Sequence, residues 1–263
     1  MMEMTPSISG WRSRPLYTRV AVVGLLLYAL VSLVFTVLSM IDGEASTVWT
    51  FIISIVLTVI FAGLMWRFGS WALVLAALWG FLNLFWGWLL ILSLSYPHSF
   101  FDFVLPLLLT VGAILTVVGA ILTFVQQRRG TARTVSSRAE RRTFGAVAVA
   151  LLALSVLSGS LHIAGLTTVS AEVGAGAIVV EMKNSYLVPE RLEIPVGETA
   201  RIVVKNNYFF VHTFEIEELG IEHTILPFSE LLIELRPSNT GEFTLRSKAP
   251  MTGDMEGTLI VTR

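Results

Sequence analysis

Cysteine is absent from this chain of 263 residues, and histidine is scarce, at four. Without thiols there are no disulfides, no thiolate metal centres and no cysteine nucleophiles. A Gly-x-Ser-x-Gly elbow, a phosphate-cradling glycine loop and a His-Glu-x-x-His helix are missing as well, so no enzyme is expected. Asp, Glu, Lys and Arg are missing from five apolar runs, 20–40, 48–66, 71–93, 103–125 and 144–166. Each is close to the ~20 residues that cross a bilayer as a helix. Five in succession predict an integral membrane protein whose first partner is the lipid bilayer. The mean hydropathy of +0.75 and the 14% charged content agree with that class.

What charge there is lies unevenly. Up to Ser170 there are ten Arg against five acids, and the remainder holds eight Lys and Arg against fourteen acids. An acidic tail argues against nucleic acid as its partner. Arg12, Arg14 and Arg19 precede the first run, Arg67 lies between the second and third, and Arg128, Arg129, Arg133, Arg138, Arg141 and Arg142 lie between the fourth and fifth. The other two connections hold Asp42, Glu44 and Asp102 and no Lys or Arg. All the arginines of the membrane half thus fall on one side of a five-pass arrangement, which the positive-inside rule assigns to the cytoplasm. The expected organisation is a cytoplasmic segment 1–19, a five-helix bundle 20–166, a linker 167–176 and an extracytoplasmic domain 177–263. A cleaved signal peptide is the rival reading of the first run, but Ser39-Met40-Ile41-Asp42 supplies no small-x-small cleavage site.

The spans carry little chemistry. Ionisable groups that would mark an ion path are missing, so the bundle reads as an anchor rather than a pump or channel. Asn83 is read as an interhelical hydrogen-bonding group in preference to a site residue. His162, near the end of the last span, is read as interfacial, with ligation beside the soluble domain as the alternative. Gly80 and Gly87, like Gly112 and Gly119, are seven residues apart on one helix face, a spacing that predicts close helix packing. Trp79 and Trp86 are placed in the bundle core. The arginine-rich connection 126–142 is explained by topology and by attraction to anionic headgroups, without a further partner.

After 167–176, read as flexible, the pattern changes to short β-rich segments near 177–183, 191–194, 199–205, 212–216, 230–236, 242–247 and 258–262. Ala200, Ile202 and Val204 alternate, as do Leu231, Ile233 and Leu235, and Pro195-Val-Gly197, Pro237-Ser-Asn-Thr-Gly241 and Thr252-Gly253-Asp254 supply turns. Seven short strands with regular turn signals predict an antiparallel all-β sandwich behind the α-helical bundle.

The order of Tyr186-Leu-Val-Pro189, Leu192-Glu-Ile-Pro-Val-Gly197-Glu, Val204-Lys-Asn206-Asn207, His212-Thr-Phe214-Glu-Ile216, Gly241-Glu-Phe243-Thr-Leu245 and Gly253-Asp-Met255-Glu-Gly257-Thr-Leu259 resembles the cupredoxin-like domains of bacterial envelope proteins. The resemblance covers 177–263 and implies a Greek-key sandwich. Copper-carrying members supply His, Cys, His and a weak axial Met. On this chain His212 falls on the first histidine, Ser247 on the cysteine and Met255 on the methionine, while the second histidine would fall near Met251 or Thr252. A serine hydroxyl cannot replace a copper–thiolate bond at neutral pH, so the resemblance implies a degenerate copper site. The thiol-free candidates are His212, Met251 and Met255, a soft set suited to Cu(I), with His223 joining if its loop folds over the same end. The bland alternative makes His212 a hydrogen-bonded residue and the methionines core filler.

Two functions follow. The first is a membrane-anchored extracytoplasmic interaction module without type-1 copper, needing no cofactor and contacting a membrane or envelope protein. The second is a carrier or sensor of copper or another soft metal, working through the His/Met set.

Overall fold

In a computed structural model the chain is described over residues 14–42, 45–170, 175–183, 186–248 and 254–263. Helices α1 (Leu16–Asp42), α2 (Ala45–Arg67), α3 (Gly69–Leu84), α4 (Trp88–Ser93), α5 (Phe100–Arg128) and α6 (Arg138–Gly165) come first. Five segments, Leu16–Ile41, Thr47–Arg67, Trp71–Leu92, Phe100–Arg128 and Arg138–Gly165, are long and apolar enough to cross a membrane. The third expected span is two helices, because a 3-10 turn at Phe85–Gly87 separates α3 from α4. By backbone contacts the chain divides into one unit of Met1–Ser39, Ala45–Trp88 and Leu107–Ala153 and another of Met40–Glu44, Leu89–Pro106 and Leu154–Arg263.

In the first unit, α1 and α5 approach to backbone contact. A Cβ on Gly112 would lie 2.9 Å from the Gly24 carbonyl oxygen, and one on Gly119 would lie 2.6 Å from the Ala21 nitrogen. Only glycine permits such an approach, which is how membrane helices gain van der Waals contact without a hydrophobic driving force. Gly80 is equally tight, 2.9 Å from a Val117 methyl, whereas Gly87 makes an ordinary contact at 3.7 Å. Trp79 donates from Nε1 to Thr58 Oγ1 at 2.9 Å and packs against the apolar cluster around Leu25 and Ala76. Asn83 departs from expectation. Its Nδ2 donates 2.7 Å to the Trp79 carbonyl one turn back, so the amide satisfies its own helix rather than a neighbour. At the start of α6, the Ser137 amide donates to Glu140 Oε2 and the Glu140 amide to Ser137 Oγ, a reciprocal capping box that the Ser-x-x-Glu spacing encodes.

The second unit contains the sandwich: β1 (Ile178–Lys183), β2 (Tyr186–Val188), β3 (Arg191–Pro195), β4 (Ala200–Asn206), β5 (His212–Ile216), β6 (Ile221–Ile225), β7 (Ser229–Leu235), β8 (Gly241–Ser247) and β9 (Met255–Thr262). One sheet runs β2-β1-β4-β7 and the other β3-β9-β8-β5-β6. The sheets are mixed rather than wholly antiparallel, since β1 pairs with β4 and β3 with β9 in parallel. Alternation in strands specifies which residues turn inward, but it does not specify strand direction. The inward faces close on Val180, Met182, Ile202, Val204, Phe214, Ile216, Leu245 and Leu259. Burial of each such side chain contributes about 1.5–3 kcal/mol. Outward-facing ion pairs such as Lys205–Glu230 at 2.8 Å add at most about 1 kcal/mol each.

The start of the linker is not free. Glu230 donates its amide to the Thr167 carbonyl at 2.8 Å, Thr167 Oγ1 returns to the Glu230 carbonyl at 2.6 Å, and Val169 donates to Glu230 Oε2 at 3.1 Å. The end of α6 therefore runs straight into hydrogen bonds with β7, while 171–174 lie outside the described residues.

Candidate functional site

Strand alternation places His212, Phe214 and Ile216 on the inner face of β5, and all three are fully buried. Antiparallel pairing brings β8 alongside, and the buried Ser247 at its end meets the histidine. His212 Nδ1 and Ser247 Oγ lie 3.1 Å apart in a hydrogen bond. Ser247 in turn pairs across the ladder with Met255, the first residue of β9, also fully buried. Directly paired residues on adjacent strands share a face. Three of the residues picked out by resemblance, His212, Ser247 and Met255, therefore converge at one end of the sandwich.

The other two candidates stand apart. His223 is exposed on the edge strand β6, opposite Phe214, and the residue facing His212 in that ladder is Ile225. Met251 lies outside the described residues. Among the described residues no group of three or more His, Cys, Asp or Glu is arranged to hold a metal ion.

Burial dominates the electrostatics. Removal from water pushes the His212 imidazole down to about 4, because the charged form is penalised and no acid compensates it. The ring is therefore neutral at physiological pH. With Nδ1 bonded to Ser247, Nε2 has no partner among the described residues. Tyr208 packs edge-on against the ring at 5.7 Å.

Behind the site, a polar network fixes β5 to β8. The Thr213 amide donates to the Lys248 carbonyl at 2.9 Å, the Lys248 amide returns to Thr213 Oγ1 at 3.0 Å, and Lys248 Nζ reaches Glu215 at 2.6 Å. The lysine holds the Glu215 carboxyl below its usual range.

Asn206 organises the loop that precedes the histidine. Its Nδ2 donates to the carbonyls of Phe210, Ile225 and Leu226 at 2.8, 3.1 and 3.2 Å, and its Oδ1 accepts from the Tyr208 amide. One amide thereby joins the loop 207–211 to the loop after β6.

Sequence reasoning noted Asp102 only as an acidic loop residue. In this unit it stands in the first turn of α5, fully buried, with Oδ2 accepting from Ser99 Oγ and, at 3.0 Å, from the Val211 amide. The signal available was Ser99 three residues before Asp102 at a helix start. His162 packs edge-on against Phe101 at 5.6 Å, and Phe101 against Phe228 at 5.7 Å.

The donor set does not fit a type-1 copper centre. A neutral hydroxyl stands where the defining thiolate would be, and it is already committed to the imidazole nitrogen that faces it.

Residues 147–261 match the family model described as a cupredoxin-like domain, a match that begins within α6 and ends in β9. No curated protein matches the chain. Solved structures similar to parts of it include the metal-binding domain of the Streptococcus pneumoniae D39 Cu(I)-exporting P-type ATPase CopA with Cu(I), at 18% identity, 33% of this chain, 85% of that one and a TM-score of 0.28. A heme-copper terminal oxidase dimer is similar at 17% identity over 48% of this chain and 100% of that one, TM-score 0.31. Dithionite-reduced auracyanin from Roseiflexus castenholzii is similar at 11% identity over 33% and 97%, TM-score 0.27. The family match and the two-sheet sandwich together identify the C-terminal part of this chain as a cupredoxin-like domain, preceded by five apolar helices and lacking the cysteine of a type-1 copper site.

Proposed function

We propose that this protein is a membrane-anchored interaction module whose cupredoxin-like domain stands outside the cytoplasm and has given up type-1 copper chemistry. The observation that carries the reading is the hydrogen bond between His212 and Ser247. It turns a ligand pair into a closed structural contact at the place where relatives would build a metal centre. The arginine distribution supports the orientation, and the five apolar helices support the anchoring. On this reading, residues 20–166 anchor, residues 177–263 recognise a membrane or envelope protein, and no catalytic role is assigned.

Titration of the intact, detergent-solubilised protein with copper in both oxidation states tests it. The expected result is no His212-dependent binding tighter than about micromolar and no intense visible absorption. Cross-linking in intact membranes should then recover a protein partner through the tail. Tight copper binding that is abolished by His212→Ala would replace this reading.

One specific observation favours a second reading, handling of a soft metal. Met255 is fully buried beside Ser247, and the His212 Nε2 lacks a partner among the described residues. An imidazole nitrogen and a thioether sulfur are the donor types that Cu(I) takes.

A further inference from the structure

The turn that joins β6 to β7 breaks a local rule. The Ser229 amide donates to the Leu226 carbonyl at 3.2 Å, closing a four-residue turn over Leu226-Pro227-Phe228-Ser229. Phe228 holds φ at 59° in its third position, where a type II turn ordinarily takes glycine or asparagine. A bulky residue adopts that left-handed conformation only at a cost. The rest of the turn is buried, yet Phe228 stands 45% exposed. Core packing therefore does not account for the ring, and a strained residue that the fold leaves half uncovered marks a contact beyond the sandwich. What lies around it within the same unit identifies that contact. One side of the Phe228 ring meets Phe101 edge-on at 5.7 Å, and a Cβ on Gly165 would lie 2.7 Å from a Leu226 methyl. Thr167, two residues beyond Gly165, is bonded to Ser229 and Glu230. Phe101 is the second residue of the span Phe100–Arg128, and Gly165 is the last of Arg138–Gly165. The turn is thus held where two membrane-crossing segments leave the bilayer, beside the exposed Ile163 and Leu166.

We propose that the turn 226–229 is a lipid-contacting element of the cupredoxin-like domain, and that Phe228 buries its open face among the acyl chains just below the headgroups of the leaflet from which α6 emerges. The inference rests on the anchoring read from the five apolar helices and is independent of which side of the membrane carries the domain. The occupant is lipid because the turn is continuous with the ends of two spans and because Leu226, Pro227 and Phe228 bring no charge to it. Its backbone is prepared for a dry neighbour. Asn206 Nδ2 donates to the Ile225 and Leu226 carbonyls at 3.1 and 3.2 Å, and Pro227 has no amide hydrogen to leave unpaired. The contact holds the sandwich against the bilayer at the β6–β7 end. Ala200 pairs with Leu235, so the turns before β4 and after β7 lie at the opposite end, away from the lipid.

The test uses the intact wild-type protein in phosphatidylcholine vesicles containing a phosphatidylcholine with a photoactivatable group high on its acyl chain. Illumination followed by peptide mapping locates the lipid adducts. Adducts are expected on the peptide covering 226–229 as well as on the spans. None is expected on 237–241, which lies beyond the seven residues of β7, about 20 Å away. Because the chain has no cysteine, Phe228→Cys and Ser238→Cys each supply a single thiol for a polarity-sensitive fluorophore. The label at 228 should emit at shorter wavelength than the one at 238, with several-fold stronger quenching by a nitroxide lipid and several-fold weaker quenching by aqueous iodide. Labelled spans with an unlabelled 226–229 peptide overturn the proposal, as does a label at 228 as open to iodide as the one at 238. A label at 228 shielded from iodide but untouched by the nitroxide lipid would make the turn a protein contact, and overturns it likewise. If Phe228→Cys unprotects β4 and β9 in hydrogen exchange, the wild-type adducts alone decide. Adducts nowhere on the chain would sink the anchoring, and the proposal with it.

Discussion

His212 Nδ1 sits 3.1 Å from Ser247 Oγ, with Met255 paired to that serine on the next strand. A single atom at the serine position separates this arrangement from one with a thiolate between an imidazole and a thioether. Ser247→Cys is therefore expected to acquire an intense visible band on addition of Cu(II) in a reductant-free buffer, with wild type remaining colourless. Absorption spectroscopy decides it. A colourless cysteine variant would mean that the site cannot admit copper even with the sulfur donor supplied.

The buried imidazole makes the tail sensitive to mild acid. His212 has a folded pKa near 4 against an ordinary value of 6.5, so the unfolded chain binds a proton that the folded chain refuses. Stability is full above the unfolded value and falls as pH drops from about 6.5 to about 4, by an amount on the order of 3 kcal/mol. Below that window both forms are protonated and the histidine adds no further slope. Hydrogen exchange of β4 and β9, corrected for intrinsic rates, measures it across that range. His212→Gln should flatten the profile, and an unchanged slope in that variant would assign the effect to another group.

Glu215 behaves in the opposite sense at lower pH. Its carboxyl is held below 4.5 by Lys248, with help from Thr213, so its contribution is present above that value and fades as pH falls through the depressed folded value. Lys248→Met should remove this acid-side component and loosen the β5–β8 pairing beside His212. The loss is read as faster exchange of the Thr213 amide, and no change there would make the network ornamental.

Asn206 carries more than its one side chain suggests. Replacing it with alanine strips a donor from the Phe210, Ile225 and Leu226 carbonyls at once. A cost of about 2–4 kcal/mol is expected, from roughly one kcal/mol per bond and the burial of what remains unpaired. Chemical denaturation of the tail followed by exchange should show it, together with early loss of protection at 208–212. Asn206→Asp retains the acceptor for Tyr208 but not the donors, and should be nearly as damaging.

In the helical unit, the backbone contact between α1 and α5 leaves no room for a methyl group. Gly119→Ala would place a Cβ 2.6 Å from Ala21 nitrogen and 2.8 Å from the Tyr17 carbonyl oxygen. Separating the helices to admit it should cost about 1–3 kcal/mol and lower the thermal aggregation temperature in detergent. Gly145→Ala, with nothing within 4 Å, is the matched control and should behave as wild type.

Several features were legible in the chain alone because they depend on composition and period. Five uncharged runs specify helices long enough for a bilayer, since only internal hydrogen bonding survives in lipid. Period-two alternation in 199–205 and 230–236 specifies which side chains enter a sandwich, and the absence of cysteine rules out type-1 copper whatever the fold. Tertiary structure alone decided the rest. The parallel pairings of β1 with β4 and β3 with β9, the place of His223 on an outer edge, and the turning of Asn83 onto its own helix depend on which distant segments meet. So does the burial of Asp102, an acid on a loop by its sequence, whose role comes from an amide more than a hundred residues away. Local pattern encodes what each segment presents, whereas pairing and burial are set by the competition among all segments for one core.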